Sequence, residues 1–288
     1  MVEGEPVNPA RWMARGRLVA GPDRPQIMGI VNATPDSFSD GGLAATLESA
    51  IDHANRLVNE GADLIDLGGE SSRPGAEAVD LMEELRRVIP VVERLAAIGR
   101  VPISVDTTKP EVARRAIAAG ATILNDIRGL DDPEMLAVVA ESDAGAVLMH
   151  MRGDSRSMGD LARYDDVVAE VFDALAAKIE RAGRAGIARA RLAIDPGIGF
   201  AKTIDHNLAI LRNLERFASL GCVVLVGTSR KRFLGTLTGR DVSDRATASV
   251  VSSLGAIRRG ARVVRVHDVG PMRDAIATWG AIEGWDTP

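Results

Sequence analysis

Cysteine is almost absent from this sequence, and long apolar runs are missing from it. The 288 residues include one cysteine, Cys222, so an intrachain disulfide is impossible and a cytosolic setting is expected. No apolar stretch approaches the ~20 residues that a membrane span requires, and the amino terminus lacks the basic-then-apolar layout of a signal peptide. These absences predict a cytoplasmic protein that does not bind membranes. Because Cys222 begins the apolar run 222–226, we expect it to fill the core rather than act as a nucleophile.

Aromatic residues are also scarce, and the charge balance is only mildly acidic. Phe, Trp and Tyr make up 3% of the chain, so the core has to be built from Val, Ile, Leu, Ala and Met. Small branched side chains suit the layered interior of an α/β barrel. The formal net charge of −5 argues against general nucleic-acid binding, although a local basic site is compatible with it.

Short apolar segments alternate with segments of helical periodicity. The apolar segments are bounded by Gly, Asp or Pro, which is typical of buried parallel strands. The predicted strands are residues 26–31, 63–68, 102–106, 122–126, 145–150, 191–195, 222–227 and 263–267. Helical spacing is clearest in residues 47–60, 82–98, 111–119 and 166–185. Eight such units in about 250 residues predict an α/β fold, a single-domain (β/α)8 TIM barrel, and an open doubly wound sheet is the weaker alternative.

The domain organisation follows from the same reading. Residues 1–25, rich in Pro, Gly and Arg, are predicted to form an amino-terminal arm or hairpin that closes the bottom of the barrel. Residues 26–288 are predicted to form the barrel, since no composition break indicates a second domain.

Polar side chains stand at the carboxyl ends of nearly all predicted strands. They are Asn32, Glu70, Asp106, Asn125, Asp126, His150, Asp195, Ser229, Lys231, Arg265 and His267. One Asp after a strand is often only a helix cap, and Asp36, Asp131 and Asp132 are candidates for that role. The carboxyl ends of all eight strands meet on one face of a TIM barrel, where active sites of this fold lie. We therefore expect the site there.

The two kinds of polar residue on this face predict two halves of a ligand. Asp106, Asn125 and Asp195 are acceptors suited to the N–H edge of a guanidine-like heterocycle. Arg73, Lys231, Arg265 and His267 are donors suited to phosphate. The set favours a heterocycle that carries a phosphate or diphosphate, and the alternative is that one or two of these charges form structural ion pairs. Two loops rich in Gly, Pro, Ser and Asp, residues 32–42 and 68–75, are predicted to act as lids.

The motifs that carry these residues resemble those of the dihydropteroate synthases. The first two are Ile27-Met-Gly-Ile-Val-Asn-Ala-Thr-Pro-Asp-Ser-Phe-Ser-Asp-Gly-Gly42 and Gly68-Gly-Glu-Ser-Ser-Arg-Pro-Gly-Ala76. Six more follow in order: Ser104-Val-Asp-Thr107, Asn125-Asp-Ile127, Leu148-Met-His-Met151, Asp195-Pro-Gly-Ile-Gly-Phe200, Ser229-Arg-Lys231 and Arg265-Val-His-Asp-Val269. An ordered set that covers residues 27 to about 277 is far more specific than a single short motif.

The resemblance implies an activity and roles for the residues. The family joins p-aminobenzoate to 6-hydroxymethyl-7,8-dihydropterin diphosphate and releases diphosphate. It implies a pterin subsite of Asp106, Asn125, Asp195 and Lys231. It implies a diphosphate subsite of Asn32, Arg73, Arg265 and His267, with Mg²⁺ near Asn32. It implies a p-aminobenzoate pocket of Asp36, Phe38, Ser72, Arg73, Phe200 and Arg232. Asp106, Lys231, Arg265 and His267 are the implied catalytic residues. Family members are commonly homodimers, and the small apolar stretch 246–256 is compatible with such an interface.

Four positions depart from the family pattern and keep alternatives open. Ala33 stands where Val is usual, Ser72 where Thr is common, Ala201 where Gly is usual, and Arg232 where Ser is often found. If position 201 requires a positive φ, alanine strains the loop there. A weakly active or inactive paralogue that binds pterin or p-aminobenzoate-like ligands is therefore the main alternative to an active synthase.

Two rival classes fit less well. A methyltetrahydrofolate-binding methyltransferase is disfavoured by the phosphate-type residues Arg73, Arg265 and His267. A zinc enzyme is disfavoured because His53 and His206 lie in predicted helices, and His53 is expected at the surface. His150, at a strand end, is expected either to line the pocket or to form structural hydrogen bonds.

Overall fold

The chain folds around eight short parallel strands that close on themselves. The computed structural model describes residues 10–33, 42–71, 78–154 and 157–284. The barrel strands are β3 (Gln26–Asn32), β4 (Leu64–Gly68), β5 (Ile103–Asp106), β6 (Ile123–Asp126), β7 (Gly145–Met149), β8 (Leu192–Asp195), β9 (Val223–Val226) and β10 (Ala261–Val266). They pair in the order β10-β3-β4-β5-β6-β7-β8-β9, and β9 pairs with β10 to close the barrel.

Burial on both faces explains why the strands have continuous apolar sequences. Every residue of β4, β6, β7, β8 and β9 is buried, because one face meets the barrel interior and the other meets the helices. The eight predicted strands are confirmed, with ends that differ by at most two residues. The predicted (β/α)8 class is confirmed, and the doubly wound alternative is wrong because the sheet has no free edge.

Helices surround the barrel. They are α1 (Gly42–Asn59), α2 (Leu81–Ile98), α3 (Pro110–Ala119), α4 (Pro133–Glu141), α5 (Val167–Arg184), α6 (Ile204–Arg212), α7 (Leu214–Ala218), α8 (Arg232–Thr238), α9 (Ala246–Arg258) and α10 (Val269–Glu283). The four helical segments predicted from periodicity are all present, but α1 begins five residues before the predicted start at residue 47. Within the described ranges, no helix has the length and apolarity needed to cross a membrane.

Local sequence chemistry starts several of these helices. Asp80 and Asp166 accept hydrogen bonds from backbone N–H groups in the first turns of α2 and α5. Asp132 caps α4 in the same way, as predicted. Asp131 instead pairs with Lys178 at 2.7 Å, and it also contacts the guanidinium of Arg181.

A hairpin packs against the amino-terminal end of the barrel. Its strands are β1 (Trp12–Ala14) and β2 (Arg17–Ala20). Trp12 has no exposed surface, and its Nε1 donates to the carbonyl of Arg191, 3.1 Å away, just before β8. A Cβ at Gly145 would lie 3.1 Å from that same Nε1, a tight contact that favours glycine at the start of β7. Apolar side chains of the lower barrel interior cluster with Trp12 and exclude water from this end.

We predict that Trp12→Ala destabilises the fold by about 3–5 kcal/mol, because it removes a fully buried side chain and leaves a cavity. Ligand affinity of the folded fraction should be unchanged, since the hairpin lies at the end of the barrel opposite the strand carboxyl ends. Urea unfolding and calorimetric titration measure the two quantities. Leu18→Ala is the matched control, because Leu18 is 50% exposed on the same hairpin. Its cost should stay within about 0.5 kcal/mol. Equal losses for the two variants would contradict this account.

Candidate active site

Five side chains that were predicted from separate motifs meet at the carboxyl end of the barrel. Asp106 and Asn125 are register partners on β5 and β6, so their side chains point to the same side of the sheet. Arg265 reaches across from β10 and pairs with Asp106 at 3.0 Å. Asp195 at the end of β8 attracts both Arg265 and Lys231, which follows β9. The structure thus brings together the acceptors and donors that the sequence placed on this face.

A sixth residue, Asp66, lies at the centre of this cluster and was missed by the sequence reasoning. It sits in the middle of β4 and has no exposed surface. Its Oδ2 accepts from Arg265 Nε at 2.6 Å and from Asn125 Nδ2 at 3.0 Å. The signal in the sequence was a carboxylate inside the apolar run 64–68, where an unpaired charge is prohibitively costly.

The alternative of structural ion pairs therefore holds for Arg265. Its guanidinium is bound to two carboxylates, Asp66 and Asp106, and its side chain is 21% exposed. The remaining exposed edge faces the barrel mouth, because Arg265 stands near the carboxyl end of β10. Ion pairing and ligand binding are compatible here, since the two carboxylates occupy only part of the planar donor set.

Burial shifts the proton affinities of the cluster. It raises the pKa of the Asp106 carboxyl to about 7; Arg265 opposes the shift and the Asp66 carboxylate adds to it. It also raises the pKa of Asp195, with Lys231 and a backbone hydrogen bond from Gly197 opposing. Burial lowers the pKa of Lys231 to about 8, against the attraction of Asp195. The cluster is thus poised to exchange charge close to neutral pH.

The loop after β8 positions Lys231. Asp195 accepts from the backbone N–H of Gly197 at 2.7 Å, which orders the start of the loop. Lys231 Nζ donates to the carbonyl of Ile198 and lies 4.6 Å from the ring centroid of half-buried Phe200. Ala201 follows with φ of 48°, so the position does need a positive φ, as the comparison with glycine suggested. An alanine in that conformation costs roughly 1–2 kcal/mol.

Serines fix the loop after β9 and the end of β10. Half-buried His267 donates its backbone N–H to Ser229 Oγ at 3.1 Å, and its Nδ1 lies 3.0 Å from that oxygen. Arg230 has φ of 58°, its N–H donates to Ser249 Oγ at 2.9 Å, and its guanidinium pairs with Asp268. These contacts hold His267 at the rim of the barrel mouth. One residue separates it from Arg265 in the sequence.

A partly buried ion-pair network joins the described ends of the second Gly-rich loop. Lys109 Nζ lies 2.5 Å from both Glu70 and Glu84, and Glu84 is 1% exposed. Thr107 donates to Glu84 at 2.6 Å. Glu70 also accepts from the N–H of Val79 at 3.2 Å, which joins the two described ends of that loop.

Other predicted site residues are not placed in the cluster. Asn32 is half-buried at the end of β3, and Arg232 is exposed at the first residue of α8. Four lie outside the described residues: Asp36, Phe38, Ser72 and Arg73.

The histidines and the cysteine have structural surroundings. His150 is buried with Nδ1 3.0 Å from Lys202 Nζ, and burial lowers its pKa to about 3, so the structural alternative describes it. His206 caps α6 together with Thr203. The expectation that His53 is a surface residue is wrong: it is half-buried in α1, and burial lowers its pKa. Cys222 is buried and the pKa of its thiol is raised to about 11, which confirms a core role.

A protein-held zinc site finds no support in the described residues. They contain no group of three or more His, Cys, Asp or Glu side chains arranged to hold a metal ion.

Comparison with known proteins agrees with this geometry. Residues 28–267 match the family model described as pterin binding enzyme. The dihydropteroate synthase of Escherichia coli K12 is 48% identical over 85% of this chain and 87% of its own length. A Xanthomonas albilineans dihydropteroate synthase solved with 4-aminobenzoic acid has a TM-score of 0.90 at 51% identity, covering 97% of this chain and 100% of its own. The Yersinia pestis dihydropteroate synthase solved with a sulfonamide drug has a TM-score of 0.89 at 42% identity, covering 95% and 99%.

Barrel, charged mouth and family model together define a pterin-binding enzyme on a (β/α)8 scaffold. Within that class, the chain belongs to the dihydropteroate synthase family.

The raised pKa of Asp106 predicts pH-dependent pterin binding. The group that accepts an N–H is the carboxylate, so raising the pH through the pKa of about 7 should tighten binding. Between about pH 6 and about pH 8, affinity for 6-hydroxymethyl-7,8-dihydropterin should rise roughly tenfold, in step with the ionised fraction. Calorimetry over this range measures it. Asp106→Asn should bind weakly and with no such slope; a slope that persists in this variant would assign the titration elsewhere.

Proposed function

We propose that this chain condenses 6-hydroxymethyl-7,8-dihydropterin diphosphate with p-aminobenzoate and releases diphosphate to give dihydropteroate. The observation that carries the proposal is the cluster of Asp106, Asn125, Asp195, Lys231 and Arg265 at the mouth of the barrel, which combines acceptors with cations. Membership of the family supports it, as does the TM-score of 0.86 to a Xanthomonas albilineans dihydropteroate synthase solved in complex with 7,8-dihydropteroate.

The pterin subsite is assigned to the inner part of the cluster. Asp106, Asn125 and Asp195 supply acceptors for ring and exocyclic N–H groups, and all three line the barrel mouth. Lys231 supplies a donor for a ring oxygen or nitrogen, and its lowered pKa reduces the cost of burying it. The low exposure of Asn125 and Asp195, 6% each, strengthens such hydrogen bonds by excluding water.

The diphosphate subsite is assigned to the rim. Arg265 lies near the end of β10, His267 is the first residue after that strand, and Asn32 ends the neighbouring strand β3. Arg73 completes the set by resemblance. Cations at the rim would neutralise the charge that grows on diphosphate as it leaves.

We propose that magnesium binds together with the diphosphate and is not held by protein ligands alone. The side-chain oxygen of Asn32 is a suitable ligand, and Mg²⁺ commonly takes one or two protein oxygens together with phosphate oxygens and waters. The donor set fits this mode, because the described residues hold no cluster that would bind the ion by themselves. When bound, Mg²⁺ would supply Lewis-acid neutralisation of the leaving diphosphate.

The p-aminobenzoate pocket is proposed above Lys231. Phe200, half-buried against the Lys231 ammonium group, offers an apolar face for the aniline ring. Asp36, Phe38, Ser72 and Arg73 are assigned to the pocket by resemblance. Arg232 is exposed beside this position, so it is free of the buried cluster and suited to attract the carboxylate of the substrate.

The chemistry follows from these positions. The bond between the hydroxymethyl carbon and the diphosphate oxygen breaks, and its electron pair leaves with diphosphate. The lone pair of the aniline nitrogen forms the new C–N bond, and that nitrogen then releases a proton to water. Asp106 offsets positive charge that develops on the pterin, and the neutral amine needs no strong base. Positioning and electrostatics therefore supply most of the rate.

Two of the departures from the family pattern, Ala201 and Arg232, leave the cluster intact. Ala201 adopts the conformation that glycine would have, and Arg232 is exposed rather than inserted between cluster residues. An active synthase therefore fits better than an inactive paralogue. The single buried thiol also supports a cytosolic setting.

A second copy of the chain is the proposed partner. Apolar side chains of α6, α8 and α9 line a groove on the outside of the barrel: Leu208, Leu211, Phe233, Leu234, Leu237 and Val251. Leu237 and Val251 are 56% and 64% exposed, an unusual exposure for large apolar residues at neighbouring positions. The predicted stretch 246–256 belongs to α9, so a homodimer would bury this groove.

Turnover tests the proposed activity. Purified protein with pterin diphosphate, p-aminobenzoate and Mg²⁺ should form dihydropteroate, and chelation of Mg²⁺ should stop it. Asp195→Asn should lower kcat/KM at least about tenfold, because it removes a charged hydrogen-bond acceptor. Asp173→Asn, the same change on the exposed face of α5, is the control and should leave kcat/KM unchanged. Pterin binding without product would favour the inactive paralogue.

Sedimentation tests the homodimer. The wild-type chain should sediment as a dimer at micromolar concentration, and Val251→Glu should shift it to monomer because a charge would be buried in the interface. Met82→Glu changes a 70% exposed methionine on α2 and should leave the dimer intact. A monomeric wild-type chain would refute the proposal.

A further inference from the structure

Asp66 is a charged residue in a place that packing alone would give to an apolar one. Its register partners on the two neighbouring strands are Ile30 and Ser104, and all three point into the barrel. Asp66 and Ser104 have no exposed surface. Burying a carboxylate there costs several kcal/mol before any pairing. A residue retained against such a cost calls for a role outside packing.

One oxygen of Asp66 holds two groups that belong to different strands. Its Oδ2 accepts from Arg265 Nε of β10 at 2.6 Å and from Asn125 Nδ2 of β6 at 3.0 Å. In the barrel order, β10 lies two strands to one side of β4 and β6 lies two strands to the other. A single carboxylate oxygen therefore links strands that lie on opposite sides of β4 at the barrel mouth.

These contacts decide which atoms face a ligand. The amide of Asn125 has its NH₂ toward a carboxylate, and the flipped amide would set oxygen against oxygen. Asn125 is thereby held with Oδ1 as the atom available to a ligand N–H. Arg265 is held by Nε to Asp66 and by Nη2 to Asp106, which fixes the plane of its guanidinium.

The second oxygen of Asp66 is also informative. Oδ1 is buried and has no hydrogen-bond partner among the described residues, and Ser104 Oγ on the adjacent strand is in the same condition. The carboxylate is thus oriented by its Oδ2 contacts, at the expense of Oδ1.

We infer that Asp66 is a positioning residue of the pterin subsite, which presets the Asn125 amide as an acceptor and locks the Arg265 guanidinium beside Asp106. The inference rests on the proposed function and assigns Asp66 no contact with substrate. It also has an electrostatic consequence. The Asp66 carboxylate contributes to the raised pKa of Asp106, so its neutralisation should lower that pKa.

The test is Asp66→Asn in the full-length chain, which preserves side-chain volume. Affinity for 6-hydroxymethyl-7,8-dihydropterin, measured by calorimetry, should fall at least about tenfold, because a neutral amide oxygen replaces the charged acceptor that holds Arg265 and Asn125. KM for p-aminobenzoate should change less than about twofold, since that substrate binds above the cluster. The pH midpoint of pterin binding should move to lower pH, a shift that a purely structural role would not produce.

Two further variants separate positioning from packing. Ser104 is the register partner of Asp66 and is equally buried, but it does not contact Arg265 or Asn125. Ser104→Ala should therefore leave pterin affinity within about twofold of the wild-type value. The double variant Asp66→Asn with Asn125→Asp exchanges the two partners. It restores an amide-to-carboxylate hydrogen bond and should recover part of the affinity lost in the single variant.

The outcomes are distinct from failure of the proposed function. If the wild-type chain does not bind pterin, the proposed function fails. If it binds and Asp66→Asn binds equally well with the same pH midpoint, the positioning role is refuted. An equal loss in Ser104→Ala would also refute it. Should Asp66→Asn not fold, the Nε–H resonance of Arg265 in the wild-type chain decides: protection from solvent exchange is expected, and rapid exchange would overturn the inference.

Discussion

The guanidinium of Arg265 lies between two buried carboxylates, and the order of the whole barrel mouth depends on that pairing. Asp66 and Asp106 bring two carboxyl groups into a space with little water, where an unpaired charge would be costly to bury. Arg265 supplies the pairing cation and in turn stays in a fixed plane. Asn125 is oriented by the same carboxylate, so the acceptor set of the site is a consequence of one ion-pair network.

Packing residues and charged site residues occupy opposite ends of the barrel interior. Its lower interior is apolar and is sealed by Trp12, whereas its upper interior holds the charges. Because closure of eight strands makes alternate residues face inward, the same strands that fill the packed layers also carry residues to the mouth. Burial raises the pKa of Asp106 to about 7, with the Asp66 carboxylate adding to the shift and Arg265 opposing it.

Many residues of the candidate site could be predicted from the sequence because they lie at strand ends. Asp106, Asn125, Asp195, Lys231 and Arg265 each follow or end an apolar segment, and parallel strands bring such positions to one face. Asp66 was missed because it lies inside a strand, where the surrounding apolar residues indicate only that the segment is buried. His53 was misjudged since a single histidine in a helix does not reveal which face is covered. The conformation of Ala201 needed coordinates, although comparison with the usual glycine pointed to it.

By itself, the sequence determined the class of fold and the membership of a family. Strand and helix periodicities are local features of the sequence, and an ordered set of motifs can be recognised without knowing any distance between residues. Tertiary structure alone decided which charges neutralise one another. Arg265 is 199 positions from Asp66 and 159 from Asp106 along the chain. Only closure of the barrel brings them within hydrogen-bond distance, and hence only the fold sets the amide orientation, the shifted pKa values and the plane of the guanidinium.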